Sequence, residues 1–177
     1  GNCARAFVGG EPFAVLYGDD VIMGEEPACG QLIRAYEKYG LGVVGVKEVT
    51  AEAIRKYSSL LVEPLEDGCL RCTDMVEKPK PGEEFSLYSI LGRCILPPEI
   101  FDMLDNTPPG AGGEIQLTDA MKALAREKSM IAVDFTGTSY DMGSKLGVMQ
   151  ANVETALTHP EIGAAFREYL KELAARL

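Results

Sequence analysis

Apolar and polar positions along the 177 residues follow two periods, and the period predicts the elements. Residues 13–17 (Phe-Ala-Val-Leu-Tyr) are a short run of strand formers that Gly18-Asp19-Asp20 stops with turn residues, which predicts a buried strand ending in a polar loop. Leu32, Ile33 and Tyr36 recur at helical spacing between 29 and 39, and Gly40 offers a left-handed cap. Residues 41–46 read as a second buried strand. Strand, helix, strand predicts a parallel pair joined by a crossover, and with it an α/β layered fold. Residues 59–62, 69–77 and 90–96 also read as strands, the first two separated by the turn Glu66-Asp67-Gly68, so the central sheet is predicted to be mixed. Pro97 and Pro98 open a short helix through Leu104. A loop follows over 107–113, then a helix over 116–126, a strand over 130–135 and a loop over 136–139.

Two helices over 144–177 close the chain. The first begins near Ser144 with Leu146, Met149, Val153 and Leu157 on one side. The second begins at Pro160 and carries Ile162, Phe166, Leu170, Leu173 and Leu177 as an apolar stripe, read as a face that packs onto the parent domain rather than onto a partner. With no repeat and no linker, residues 1–177 are expected to form one domain.

Composition narrows the function. At 46% hydrophobic residues the chain can bury a sizeable core, and a net charge of -10 argues against a nucleic-acid groove or an anionic membrane surface. A small anionic substrate stays open, given local cations or a metal ion to receive it. Five cysteines, an odd number, do not look like a secreted disulfide framework, and no apolar run is long enough to span a bilayer, so the expected location is the cytoplasm. The single histidine, His159, leaves little room for a Ser-His-Asp or Cys-His triad. Cys69 and Cys72 form a CxxC without two further ligands at zinc spacing.

Three places could carry chemistry. Asp19 stands where a predicted strand ends, the position at which ligands collect in open α/β sheets, although the same tripeptide serves equally as a plain turn. Asp141 sits in a loop between a strand and a helix, where it could instead belong to a helix-start turn capped by Ser144. Two such carboxylates could share one Mg2+, which takes one or two protein carboxylates and fills its remaining positions with water and phosphate. Glu77-Lys78-Pro79 sets an acceptor for sugar hydroxyls beside a cation for a phosphate, or is simply a solvated charge pair.

Together these segments resemble a known family. Residues 13–22 (Phe-Ala-Val-Leu-Tyr-Gly-Asp-Asp-Val-Ile), 74–79 (Asp-Met-Val-Glu-Lys-Pro), 107–120 (Thr-Pro-Pro-Gly-Ala-Gly-Gly-Glu-Ile-Gln-Leu-Thr-Asp-Ala) and 141–151 (Asp-Met-Gly-Ser-Lys-Leu-Gly-Val-Met-Gln-Ala) are similar, in that order, to the bacterial UTP:glucose-1-phosphate uridylyltransferases. The resemblance implies a partial Rossmann-like nucleotide-diphospho-sugar transferase fold and uridylyl transfer from UTP to glucose 1-phosphate, giving UDP-glucose and pyrophosphate. It also implies roles. Asp19 and Asp141 become the Mg2+ ligands, and Lys78 joins them in the catalytic set as the phosphate contact. Glu77, Lys78, Ser58, Ile90 and Gly92 become the substrate-binding residues.

Three departures from the family pattern qualify the resemblance. The opening strand with a Gly-x-Gly-Thr-Arg loop and a downstream Pro-Lys, which hold the nucleotide, has no counterpart. This implies a carboxyl-terminal portion that binds UTP only with the missing segment and is inactive alone. Tyr57-Ser58 stands where the family has Tyr-Gly beside the sugar, and Ser86-Leu87-Tyr88-Ser89 where it has Ser-Asn-Leu-Ala, which puts the preference for glucose in doubt. The alternatives are a nucleotidyltransferase for another sugar 1-phosphate, or a non-catalytic sugar-phosphate-binding or oligomerisation module. Uncovered edges and apolar faces predict a homo-oligomer.

Overall fold

A computed structural model of the chain describes residues 4–65, 67–110 and 113–177. A short helix, α1 (Arg5–Val8), precedes two brief strands, β1 (Phe13–Leu16) and β2 (Asp20–Met23). Helix α2 (Ala28–Tyr39) leads into β3 (Val43–Glu48), and a 3-10 turn (Ala53–Lys56) leads into the hairpin of β4 (Ser58–Pro64) and β5 (Leu70–Glu77). There follow β6 (Tyr88–Leu96), α3 (Ile100–Asn106), α4 (Leu117–Lys128), β7 (Met130–Asp134), β8 (Thr138–Asp141), α5 (Lys145–Thr158) and α6 (Gly163–Ala174).

Six strands form one sheet in the order β1-β6-β3-β7-β5-β4, in which β3 and β7 run parallel and the other neighbours antiparallel. The α/β class with a mixed sheet is therefore as the sequence predicts. The predicted parallel pairing of residues 13–17 with 41–46 is not. β6 lies between β1 and β3, antiparallel to both, and the parallel neighbour of β3 is β7. Burial explains the exchange: β6 is a long strand buried along most of its length, suited to the interior, whereas β1 alternates half-buried and exposed positions. β1 takes the edge, and with Leu16 55% exposed it is not the fully buried strand its composition suggests.

Alternation on the strands sends apolar side chains to both faces. Val44 and Val46 of β3 join Leu60, Met75, Leu96, Met121 and Leu124 in the core under α3 and α4, while Val43 joins Ile95 and Ile131 against Leu32 and Ala35 of α2. Gly40, in the left-handed region at φ 63°, ends α2 as expected.

Strands β2 and β8 were not anticipated; residues 136–139 read as a loop. They form a separate antiparallel ribbon in which Asp20 faces Asp141. Gln31, buried in α2, anchors its base: its side-chain amide donates to the carbonyl of Thr136 at 3.0 Å and its oxygen accepts from the Thr136 N–H at 2.8 Å.

Ser144 caps α5 as predicted, accepting from the Gly147 N–H at 2.9 Å. The expected packing of the final apolar stripe onto the parent domain is corrected: α6 packs on α5, and its only buried residue is Gly163. Large apolar side chains stay uncovered, Tyr169 at 51% and Leu146 at 68% exposure. The reason is steric. α5 buries its small side, Gly147 and Ala151, and Gly147 lies so close to the Asp141 carbonyl that any Cβ would overlap it. Its large residues therefore point elsewhere. Among the described residues no helix is long and apolar enough to cross a membrane.

Leu124, 2% exposed beneath the sheet, tests the core. Leu124→Ala is expected to destabilise the chain by roughly 2–5 kcal/mol, read as a lower midpoint in urea unfolding with an unchanged m-value.

Candidate functional site

The turn after β1 carries Asp19 and is fixed at several points. The Asp20 N–H donates to the Tyr17 carbonyl at 3.2 Å, and the Tyr17 N–H to the Gly92 carbonyl at 3.0 Å, tying the turn to β6. From the other side the Met142 N–H donates to the Asp19 carbonyl at 2.7 Å. The ribbon thus brings residues 19 and 141 to one place although they lie 122 positions apart along the chain.

Gly143 locates the meeting point. A Cβ built on it would lie 3.0 Å from Asp141 Oδ1 and 3.9 Å from Asp19 Oδ2, so both carboxylates border the small space that the glycine leaves open. Asp141 Oδ1 is held there by the Gly143 N–H at 2.8 Å. Two hard carboxylate oxygens around one gap fit Mg2+, which completes its shell with water and ligand phosphate. Among the described residues there is no cluster of three His, Cys, Asp or Glu side chains that could hold a metal.

A third carboxylate, Asp20, stands beside these two, and nothing in the sequence singled it out. Burial raises its carboxyl above the usual range, the charges of Asp19 and Asp141 raise it further, and Arg93 counteracts them. Gly92 is what allows it room: at φ 64°, its Cβ would fall 2.5 Å from Asp20 Cβ and 2.9 Å from Asp20 Oδ2, so any side chain here would displace the acid. The role of Gly92 in the geometry is to buttress Asp20.

Two chambers meet at Asp20, Tyr57 and Leu91. The inner one, about 150 Å3, is lined by Ser58, Glu77, Ile90 and Thr118 among others, and the outer one, about 340 Å3, by Asp141, Ser139 and Thr50. Ser58, Glu77 and Ile90 are therefore brought together as expected residues of one pocket, with Asp141 next door. Lys78 is exposed and lies on neither wall; the cation on the inner wall is Lys56, which sequence reasoning passed over. Lys78 is nevertheless held in an uncommon backbone conformation, φ 47°, with its N–H on the Tyr57 carbonyl at 2.8 Å.

Inside the inner chamber the chemistry is mostly hydrogen bonding by neutral groups. Burial pushes the Tyr17 phenol well up, helped by Cys94, Glu77 and Asp20, so it remains protonated. Ser58 Oγ accepts from the Ile90 N–H at 3.3 Å. Burial also raises Glu77, opposed by a hydrogen bond from Thr118 and the charge of Lys78. Asp74 ties β5, which carries Glu77, to α4, which carries Thr118: Arg126 Nε and Nη2 reach its two oxygens at 3.0 and 2.8 Å. Tyr17, Asp20, Lys56 and Thr118 thus join the site without having been anticipated, and Tyr57, expected beside the sugar with Ser58, lies on both walls. Thr118 and Asp20 lay inside segments already singled out, and the apolar run Val21-Ile22-Met23 was the one available sign that Asp20 begins a strand. Of the loop over 107–113, residues 107–110 and 113 are described and line neither chamber; Ala111 and Gly112, like Glu66 of the predicted turn and Cys3, lie outside the described residues.

Comparison with known proteins follows the same segments. No family model matches the chain. A UTP–glucose-1-phosphate uridylyltransferase of Staphylococcus haemolyticus is 44% identical over 174 residues, covering 97% of this chain. The chain is a homologue of the UTP–glucose-1-phosphate uridylyltransferases. It spans 60% of the length of that relative and 59% of a second, the Bacillus subtilis uridylyltransferase YngB, which is 40% identical. Among solved structures, a UDP-glucose pyrophosphorylase from Acinetobacter baumannii superposes with a TM-score of 0.85 at 32% identity, covering 97% of this chain and 60% of that one. A UDP-glucose pyrophosphorylase complexed with UDP-glucose superposes with a TM-score of 0.78 at 36% identity, covering 96% and 60%. The uridylyltransferase homology therefore covers both halves of the site, the ribbon and the inner chamber.

Glu77 supplies a pH test. Its carboxyl binds a proton more tightly in the folded than in the unfolded chain, so stability falls as pH rises from the ordinary carboxyl range through the raised folded value. Glu77→Gln removes that loss while keeping an acceptor for Thr118. The variant is expected to melt at or above the wild-type temperature at pH 7, with the difference vanishing below about pH 4, as followed by circular dichroism.

Proposed function

We propose that this chain provides the sugar-phosphate and Mg2+-binding half of uridylyl transfer from UTP to glucose 1-phosphate, yielding UDP-glucose and pyrophosphate. One observation carries the reading: in a uridylyltransferase homologue, Asp19 and Asp141 border one gap at Gly143, beside a chamber walled by Glu77 and Ser58.

In the proposed reaction a phosphate oxygen of glucose 1-phosphate forms a bond to the α-phosphorus of UTP, and the bond to pyrophosphate breaks. The attacking phosphate is already an anion, so no residue need act as a general base. Catalysis is then alignment and charge neutralisation. Glu77, Thr118 and the backbone around Ile90 orient sugar hydroxyls in the inner chamber. Lys78, and Lys56 on the chamber wall, meet the phosphate. Asp19 and Asp141 hold Mg2+, which when bound neutralises phosphate charge. The UTP contacts of the whole protein form part of the same proposal, in keeping with the UTP-bound state described for an Acinetobacter baumannii relative.

The proposal sets this chemistry in the cytoplasm, in keeping with four free thiols among the described residues. It includes self-association, supported by the uncovered side chains of α5 and α6 and by the edge position of β1. A different sugar 1-phosphate is a second reading. It is favoured by Ser58, whose hydroxyl takes up the Ile90 N–H on the wall of the inner chamber.

Calorimetric titration of glucose 1-phosphate in the presence of Mg2+ tests both readings. Saturable binding is expected, weakened about tenfold or more by Glu77→Ala or Lys78→Ala, the effect of losing a charge-assisted hydrogen bond. Affinity untouched by either substitution would end the proposal, and tighter binding of another hexose 1-phosphate would select the second reading.

A further inference from the structure

Arg93 is a cation whose charge reaches the Asp20 carboxylate, yet among the described residues it bonds to no carboxylate. Such an arginine ordinarily grips an acid through two parallel N–H donors. Here, among the described residues, its hydrogen bonds all go to backbone carbonyls: Nη1 donates to Gly92 at 2.7 Å and to Tyr17 at 3.4 Å, and Nη2 to Asp20 at 2.9 Å. Tyr17 and Asp20 flank the turn that carries Asp19, and Gly92 lies in the irregular stretch of β6, where the register with β3 shifts between Val44 and Val46.

The geometry points to Arg93 as the positioning residue of the cation site, bracing the Asp19 turn from both flanks against β6 while leaving the oxygens of Asp19 and Asp141 open to a ligand. This rests on the reading of those two acids as Mg2+ ligands. A planar guanidinium is required for it. Its fork spans carbonyls of residues 17, 20 and 92 at once, whereas the three donors of an ammonium radiate from a single nitrogen on a flexible stem and lack the fixed spacing that holds both flanks rigidly. The positive charge also lies where it opposes repulsion among the acids, so brace and counter-charge arrive in one side chain. Nothing in the arrangement requires Arg93 to touch a substrate.

Mn2+, an oxygen-preferring divalent ion, is the probe, its free fraction read by electron paramagnetic resonance alongside the melting temperature of each variant. Arg93→Met is expected to weaken Mn2+ binding about tenfold, the scale seen when groups that orient metal ligands are removed, and Arg93→Lys to recover only part of that loss. Asp19→Ala serves as the control. If Asp19→Ala binds Mn2+ like the wild type, the metal reading falls and this inference falls with it. If Asp19→Ala is impaired while Arg93→Met is not, the inference alone is overturned. Full recovery by Arg93→Lys would likewise overturn it, because charge without the fork would then suffice. Should Arg93→Met fail to fold, Arg93→Lys decides: weakened Mn2+ binding at an unchanged melting temperature supports the brace, and wild-type affinity rejects it.

Discussion

Three carboxylates, Asp19, Asp20 and Asp141, are gathered where a two-stranded ribbon meets the edge of the main sheet, and their mutual repulsion is the constraint around which this part of the molecule is organised. Like charges at such range oppose folding unless backbone bonds hold them, one of them takes up a proton, or a cation is supplied. Each remedy is visible in some form. The Asp19 carbonyl is tied to the Met142 N–H and Asp141 Oδ1 to the Gly143 N–H. Asp20, the acid for which Gly92 leaves room, has its carboxyl pushed upward by burial and by its two neighbours. Arg93 brings positive charge without occupying a carboxylate. The proposed Mg2+ site rests on that imbalance: the fold concentrates acid groups and leaves two of them bordering an open gap.

Close approach of backbone to backbone is what permits the concentration. Gly92 lets β6 come against Asp20, and Gly147 lets the first turn of α5 sit on the carbonyl of Asp141. Both contacts pull the ribbon inward, and both would be lost to a methyl group. The same inward pull determines the outer surface: because α5 turns its small residues toward the ribbon, Leu146 and Met149 are left facing away, and α6 has α5 rather than the sheet to pack on. The exposure of Leu146 and Met149 on α5 is thus a consequence of how the acids are assembled at the site.

The main sheet was largely legible because its strands are long, apolar and bounded by turns: β4, β5, β6 and β7 fall within a few residues of their predicted places. Helix α2 and the Ser144 cap carry local signals that tertiary structure did not override. What local pattern could not supply was adjacency. Residues 13–17 and 41–46 look like neighbours in a crossover, but nothing local reveals that β6, the longer and more buried strand, comes between them. The ribbon was missed for a related reason. Four-residue strands such as Asp20–Met23 and Thr138–Asp141 carry too few alternations to be told from loops, and each is held by a partner more than a hundred residues away. Asp19 and Asp141 could be named separately from their positions at element ends; their convergence depended on the pairing that was unreadable. Asp20 and Lys56 were invisible because their significance is purely spatial.

A chain of net charge -10 is an unpromising receptor for a sugar phosphate if charge is averaged over its surface. At physiological ionic strength, however, exposed charges are screened beyond about 8 Å, so the local arrangement decides. Around the cleft that arrangement is divided. The inner chamber presents a protonated phenol, hydroxyls and a half-buried glutamate whose proton affinity is raised, groups suited to sugar hydroxyls, with Lys56 as the cation on its wall. The outer chamber borders Asp20 and Asp141 and would repel phosphate outright in the absence of a cation. On the proposed reading, a divalent ion converts the outer chamber from repulsive to attractive, so that the sugar has a chamber matched to its hydroxyls and the phosphate has cations to receive it. The acidity of the site and the anionic character of the ligand then cease to conflict: the acids hold the ion, and the ion receives the phosphate.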